Sequence, residues 1–98
     1  MSIVVRFAPK SMTTEQYEQV RGKVQSTSQW PPDGLEIHVC FGSGDQLRVS
    51  EVWESREKLD AFGETLMPVL SEAGIELAGE PEILDVHNLE LGSNAAGT

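Results

Sequence analysis

Two histidines are the side chains of this sequence best suited to chemistry, His38 and His87. An imidazole titrates near neutral pH, so His38, within the alternating segment 35–41, is a candidate general base, hydrogen-bond donor or ligand. The alternative is a histidine that only satisfies hydrogen bonds in an interface. Asp85 lies two residues before His87 on the same face of a strand, where a carboxylate could orient the imidazole. Because such residues lie about 6.6 Å apart along a strand, a His87 bonded to a backbone group is the competing interpretation.

The predicted positions of the two histidines argue against a shared metal. In the sheet derived below they lie on opposite edges, about 14 Å apart, whereas metal–ligand bonds are about 2 Å long. No HExxH, CxxC or paired-carboxylate motif supplies further ligands. We therefore expect no metal and, on the same thin set of ligands, no haem or other cofactor.

Nucleophilic and phosphate-binding chemistry lack their usual patterns. Cys40 has no adjacent cation or helix N-terminus to activate it, so an inert buried thiol is expected. No serine lies in a GxSxG elbow, and the glycine-rich segment 42–44 is not followed by a helix. The acidic residues between 51 and 60 are typical of a solvated edge and a helix start. We propose no nucleophile.

Arg6 is a candidate ligand-binding residue. Its guanidinium could hold an anionic group through two parallel hydrogen bonds. The favoured alternative is an ion pair with Glu36, Asp85 or Glu51.

Composition and charge describe one acidic domain. The chain has 98 residues, with 16 acidic against 7 basic side chains and a net charge of −9. Such a charge repels nucleic acid and anionic lipid, so neither is expected as a partner. A lone cysteine and the absence of a signal-peptide pattern predict a cytoplasmic protein. We assign residues 1–91 to one domain and 92–98 to a flexible tail.

Local patterns predict four strands and two helices in the order βαββαβ. Strand-like segments lie at 3–8, 35–41, 46–53 and 82–89. Thr13 and Gln16 have the spacing of a capping box at the start of the first helix. Ser55 suits the cap of the second helix, which ends at Gly74. Pro68 lies inside this helix and predicts a kink or a broken last turn.

This order in one small domain predicts the ferredoxin-like α+β fold. Right-handed crossovers place both helices on one face of a four-stranded antiparallel sheet of order 4-1-3-2. Strict alternation divides the first two strands into two sets of residues. The bulkier set, expected under the helices, is Ile3, Val5, Phe7, Leu35, Ile37, Val39 and Phe41; the set expected on the open face is Val4, Arg6, Ala8, Glu36, His38 and Cys40. A second copy often covers such a mixed face, so we predict a homodimer that encloses a cavity there.

Four short segments carry a family resemblance. They are 12–17 (MTTEQY), 52–55 (VWES), 62–68 (FGETLMP) and 86–88 (VHN). Over residues 2–89 the chain resembles the dimeric α/β-barrel superfamily, the antibiotic biosynthesis monooxygenase-like domains and their uncharacterised actinobacterial relatives. The resemblance implies a barrel-like dimer with a small cavity in each protomer. Its members include cofactor-independent oxygenases, haem-degrading enzymes and ligand binders, and the fold alone selects none of them.

The position of Trp53 depends on the turn that joins the second and third strands. A two-residue turn places His38 opposite Val49 and puts Trp53 on the same side as His38, facing the cavity. A three-residue turn exchanges the two faces of the third strand. Arg48 and every second residue after it then face the cavity, and Trp53 packs under the helices. Hydrophobicity favours the second arrangement. The family pattern of a cavity-lining aromatic favours the first, which we prefer.

Two functions compete at this point. One is a cofactor-free enzyme that acts on a small aromatic or polyketide-like substrate, with His38 as base. The other is a non-catalytic homodimeric ligand-binding or interaction module, favoured because 61–64 (AFGE) lacks the histidine that oxygenase members usually carry on the second helix. A closed pocket of a few hundred Å³ beside His38 and Trp53 would favour the enzyme.

Overall fold

Six elements follow one another in the predicted order in the computed structural model, which describes residues 2–92. They are β1 (Ile3–Phe7), α1 (Thr14–Thr27), β2 (Leu35–Phe41), β3 (Arg48–Trp53), α2 (Arg56–Glu72) and β4 (Glu82–Asp85). Residues 93–98 of the predicted tail lie outside the described part. None of the helices in residues 2–92 is both long and apolar enough to cross a membrane.

The sheet has the order β2-β3-β1-β4, and all of its strand pairs are antiparallel. This confirms the predicted order and the ferredoxin-like α+β fold. Val5 in the central strand β1 lies opposite Glu51 on one side and Ile83 on the other. Glu51 in turn lies opposite His38 of β2. These four residues therefore form a row across one face of the sheet.

The hydrophobic core lies between this face and the two helices. Val5, Val24 and Trp53 are its most completely buried members. The other buried apolar side chains come from β1, from both helices and from three connecting segments: Ile3, Met12, Val20, Leu47, Leu59, Phe62 and Ile75. One face of the sheet is thus covered within the chain.

Both predicted helix caps are present. The Thr13 hydroxyl accepts from the Gln16 backbone N–H at 3.1 Å, and the Gln16 side chain accepts from the Thr13 N–H at 3.0 Å. The Gln16 amide also donates to the carbonyl of Ala73 at 3.1 Å, which ties the start of α1 to the end of α2. Ser55 caps α2 through the Lys58 N–H.

Of the two outcomes predicted at Pro68, the broken last turn does not occur. Helix α2 continues through Pro68 to Glu72. Proline removes one backbone hydrogen bond, whereas Leu66, Val69 and Leu70 on either side of it pack against the core. Packing of the helix face therefore outweighs the lost bond.

A bulge reverses the faces that strict alternation predicts for β2. Leu35 lies opposite Trp53 but Ile37 lies opposite Val52, so Glu36 is an extra residue in the strand. A one-residue shift moves every later side chain to the other face. The prediction was therefore right for Leu35 and wrong from Ile37 onwards: His38 and Cys40 lie on the helix side, and Ile37, Val39 and Phe41 on the open face.

Three strands are shorter than predicted: β1 by one residue at its end, β3 by two at its start and β4 by four at its end. Met12 bonds to Asp45 and Leu47, which draws the segment before β3 towards the start of α1. As a result, β3 begins at Arg48. Strand β4 ends at Asp85, so the prediction that His87 lies within this strand was wrong.

Candidate functional site

The central feature of the site is a buried glutamate paired with a histidine. Glu51 is only 4% exposed, and its Oε2 lies 2.6 Å from Nδ1 of His38. The indole Nε1–H of Trp53 donates to Oε1 of Glu51 at 3.0 Å. With Nδ1–H of His38 as the donor, both oxygens of the carboxylate accept a hydrogen bond. These bonds compensate for much of the cost of burying the charge.

The second nitrogen of His38 is bonded to Tyr17. The Tyr17 hydroxyl lies 2.7 Å from Nε2. With Nδ1–H donating to Glu51, we assign the lone pair to Nε2 and the proton between the two groups to Tyr17. We call this chain of Tyr17, His38, Glu51 and Trp53 the His38 network. In this tautomer of His38, the nitrogen that can accept a proton is Nε2, which lies next to Tyr17.

The surroundings keep Tyr17 in its protonated form. Burial raises the pKa of its hydroxyl above the ordinary value of 10.0, and the neighbouring Cys40 raises it further. Arg21 acts in the opposite direction, but its effect is smaller than that of burial. Tyr17 therefore keeps its O–H at neutral pH and can donate it to Nε2 of His38 in the tautomer assigned above.

Aromatic rings hold the imidazole from two directions. The Tyr17 ring lies nearly parallel to His38 at the Nε2 end, with centroids 6.0 Å apart and planes 19° apart. Trp30 approaches the imidazole edge-on, with centroids 5.6 Å apart. Phe62 packs behind, against both Trp30 and Trp53. Rotation of the His38 ring is thus restricted by packing as well as by hydrogen bonds.

A small cavity lies beside His38, between the helices and the sheet. Its volume is about 70 Å³. Its wall consists of residues from both helices, three strands and the connecting segments: Phe7, Pro9, Met12, Tyr17, Val20, Arg21, Val24, Trp30, His38, Val49, Glu51, Phe62, Leu66, Leu70, Ile75 and Leu77. The accessible wall is almost wholly apolar, since the polar atoms of the His38 network are bonded to one another.

The cavity differs from the predicted one in place and size. It lies under the helices within one chain, whereas the prediction placed it on the open face. The reversal of β2 after Glu36 accounts for this, because it moves His38 to the helix side. The space is about half of an apolar cavity of ~150 Å³ that binds benzene. It is below the few hundred Å³ expected of an enzyme pocket.

The structure does not bring Arg6, Asp85 and His87 to this cavity. Arg6 lies on the open face and pairs with Glu82 at 3.2 Å, with both side chains more than half exposed. Arg6 is thus in an ion pair, but its partner Glu82 is none of the three predicted partners. Asp85 and His87 line a shallow depression near Val4 at the other edge of the sheet. Arg6, Asp85 and His87 therefore make no contact with the His38 network.

Trp53 combines parts of the two predicted arrangements. It lies on the same side of the sheet as His38, as the preferred arrangement states. That side is the helix side, so Trp53 is fully buried in the core and contacts the site through Glu51. The register also differs by two residues, because His38 lies opposite Glu51 and not Val49.

Tyr17 and Glu51 are the site residues that sequence analysis missed. Glu51 was assigned to a solvated acidic edge, and its burial shows that assignment to be wrong. The available signal was its position between Val49 and Trp53 in an alternating strand, where a charged residue on a core face requires a partner. Tyr17 was noted only as part of the segment 12–17 that carries the family resemblance.

Cys40 lies on the helix side next to this site and is unpaired. Burial raises the pKa of its thiol above the ordinary 9.0, and Glu18 adds to the effect. Within residues 2–92, no three His, Cys, Asp or Glu side chains converge in a way that could hold a metal ion.

Comparison with solved structures defines the class of fold. A candidate antibiotic biosynthesis monooxygenase from Chloroflexus aurantiacus superposes with a TM-score of 0.61 at 17% identity, over 94% of this chain and 100% of its own. SnoaB, a cofactor-independent oxygenase from Streptomyces nogalater, gives 0.58 at 14% identity, over 90% and 93%. A second candidate antibiotic biosynthesis monooxygenase, from Deinococcus radiodurans, gives 0.52 at 12% identity, over 95% and 97%.

These likenesses confirm the resemblance at the level of the fold. The chain has the fold of the antibiotic biosynthesis monooxygenase-like domains. No protein-family model matches its sequence, and no curated protein does so.

Proposed function

We propose that this protein binds a small organic molecule in the cavity under its helices and that His38 acts there as a general base. The reaction would be of the cofactor-independent oxygenase kind, on a small aromatic or polyketide-like substrate. The observation that carries the proposal is the buried carboxylate of Glu51 bonded to His38 beside an apolar cavity. The fold shared with SnoaB, a cofactor-independent oxygenase, supports the same chemistry.

The geometry gives each residue a separate task. Glu51 fixes the tautomer in which Nε2 of His38 carries the lone pair, and it stabilises the imidazolium that forms when Nε2 takes a proton. The apolar wall excludes water, which strengthens this electrostatic effect. Trp53 holds the second oxygen of Glu51 and so fixes the direction of the carboxylate. Glu51 and Trp53 are positioning residues, and His38 contacts the substrate.

The oxidation that follows needs dioxygen as the co-reactant. His38 removes a proton from an activated CH₂ group, and the carbanion transfers electrons to dioxygen. One oxygen atom becomes a carbonyl on that carbon and the other leaves as water, so that R₂CH₂ and O₂ give R₂C=O and H₂O. Neither a metal nor an organic cofactor enters this balance.

Oxygen uptake tests this function. Wild-type protein, freed of trace metals by chelation, is mixed with hydroxylated aromatic compounds that carry an activated CH₂ group. We expect uptake that falls by at least about 10²-fold in His38→Gln, the size typical of a lost general base. The matched control is His87→Gln, which changes the histidine far from the cavity. Equal uptake in the wild type and His38→Gln would contradict the proposal.

The second candidate function is a non-catalytic binding module. The observation that favours it is the complete pairing of the His38 network, since no buried side-chain nitrogen or oxygen of the described residues lacks a partner. A network of this kind could serve only to stabilise the core. Ligand binding that is insensitive to His38→Gln would support this alternative.

We also propose a homodimer formed through the open face of the sheet. A row of apolar side chains, Ile37, Val52, Val4 and Leu84, crosses this face from one edge to the other. Three large apolar side chains there are 44–47% exposed, namely Val39, Phe41 and Leu84. An exposed apolar face of this extent is typical of an interface. In a symmetric homodimer, the same face of a second copy would cover it.

A further inference from the structure

Tyr17 fills the position that a ligand of His38 would need. Nδ1 of the imidazole is taken by Glu51, so Nε2 is the nitrogen that remains for a substrate. The hydroxyl of Tyr17 is bonded to that nitrogen at 2.7 Å. The phenol ring lies nearly parallel to the imidazole, with the planes 19° apart, and extends away from Nε2 with the ring centroids 6.0 Å apart. In its resting state the site therefore already holds a phenol, supplied by the chain itself.

A molecule that donates a proton to Nε2 has to replace this internal phenol. The competitor best suited to do so shares its chemistry: a planar ring that lies nearly parallel to the imidazole and directs an acidic O–H at Nε2. We propose that the substrates of this site are phenols or enols, and that they bind by displacing the Tyr17 hydroxyl from His38. This inference rests on the proposed function, because it names the class of molecule on which His38 acts.

The size and position of the cavity support displacement. At about 70 Å³ the space beside His38 is too small for a ring by itself. Tyr17 lines this space and lies in the first turn of α1, where it is only partly buried. Movement of its ring therefore adds volume where a ligand ring would lie, with Trp30 still in place at the imidazole edge.

The charge at the rim of the cavity also suits an acidic O–H. Arg21 lies one turn after Tyr17 on α1 and lines the cavity. Its partner is Glu18, at 3.5 Å, and both side chains are about half exposed. The guanidinium lowers the pKa of the Tyr17 hydroxyl, against the larger effect of burial, so its positive charge acts at that position. The same charge would stabilise the anion of a ligand that gives its proton to His38.

The test compares a phenol with its methyl ether. The probes are 4-nitrophenol, whose ionised form absorbs visible light, and 4-nitroanisole, which has the same ring but no O–H. Tyr17→Phe removes the competing hydroxyl and keeps the ring. We expect it to bind 4-nitrophenol roughly five- to tenfold more tightly than the wild type, the worth of one hydrogen bond, with little change for 4-nitroanisole. His38→Gln should bind both probes equally weakly.

A second measurement does not depend on the variant. Tyr17 is the only tyrosine of the chain, so the ring signal of labelled tyrosine in an NMR spectrum reports on it alone. We expect 4-nitrophenol to shift this signal in the wild type as the Tyr17 hydroxyl leaves His38, and 4-nitroanisole to shift it less.

The two levels of the proposal fail in different ways. If 4-nitrophenol binds in a manner that depends on His38, but neither Tyr17→Phe nor the tyrosine signal responds, displacement is wrong and the general base stands. If no protein binds 4-nitrophenol in a way that depends on His38, the substrate class is wrong, and oxygen uptake with CH₂ acids then decides the proposed function separately.

Discussion

At the scale of single residues, the feature that most shapes this protein is a carboxylate placed inside its core. Glu51 tolerates burial because His38 and Trp53 each donate to one of its oxygens. Removal of either donor leaves a buried acceptor without a partner, at a cost of about 1–3 kcal/mol. The pairing is therefore required by the fold whether or not the site is catalytic, and only changes in function can separate the two roles.

The variant Glu51→Gln separates the structural role of the Glu51–His38 pair from its catalytic role. The amide has one oxygen and one NH₂ group, so it meets one of the two N–H donors with a donor of its own. We expect a loss of stability of about 1–3 kcal/mol and a fall in oxygen uptake of about 10²-fold or more, because the basic tautomer of His38 is no longer held. Urea unfolding measures the first effect and an oxygen electrode the second. The exposed Glu54→Gln is the matched control; a variant at 51 that loses stability alone would show a structural role.

Ionisation of Tyr17 lowers the free energy of unfolding at alkaline pH. Its pKa in the fold lies above the ordinary 10.0, so the unfolded chain releases this proton first as the pH rises. Stability from this residue is complete below pH 10 and falls as the pH rises from there towards the folded-state pKa. We expect the free energy of unfolding in urea to decrease above pH 10 less steeply in Tyr17→Phe than in the wild type. Identical slopes would mean that the hydroxyl is not buried as described.

At the scale of elements, the sequence patterns predicted which segments form strands and helices better than they predicted which way the strands face. Segment 35–41 is the strand that alternation predicts, from its first residue to its last. Its faces were wrong after Glu36, because one bulged residue reverses them without changing the alternating pattern. The segment 86–89 was predicted as strand from composition alone, whereas pairing with β1 ends at Asp85.

The capping box of α1 positions Tyr17 and is a local feature that the sequence does reveal. Thr13→Ala removes the acceptor for the Gln16 N–H, so we expect a loss of about 1 kcal/mol in the free energy of unfolding. Because Gln16 also bonds to Ala73 at the end of α2, the loss should exceed that of an isolated cap. Thr14→Ala, one residue into the helix, is the matched control in the same chemical denaturation. Equal losses at 13 and 14 would contradict the role of the cap.

At the scale of the whole molecule, the fold was predictable and the site only in part. Element order and handedness rules lead to the observed sheet, because they depend on local patterns. His38 was found because a histidine in an alternating strand is conspicuous. Its partners Tyr17 and Glu51 were not, because their contacts depend on a bulge and on a hairpin register two residues away from the one expected.

The open face should make the protein a dimer. Leu84→Lys places a charge at the β4 end of the apolar row in the proposed interface, where the dimer would bury it at high cost. We expect sedimentation to give a dimer for the wild type and a monomer for this variant. Met67→Lys is the matched control, since Met67 is similarly exposed, at 51%, but belongs to α2. A wild type that sediments as a monomer at micromolar concentration would rule out the dimer.

The most direct test of the central claim is to locate where a small aromatic ligand binds. The measurement is a titration of isotopically labelled protein with 4-nitrophenol, followed through the NMR signals of backbone amides and indole N–H groups. We expect saturable shifts around the cavity, at Val20, Trp30 and Phe62, that disappear in His38→Gln. Shifts confined to Val39, Phe41 and Leu84 on the open face, or equal shifts in His38→Gln, would contradict a binding site built on His38.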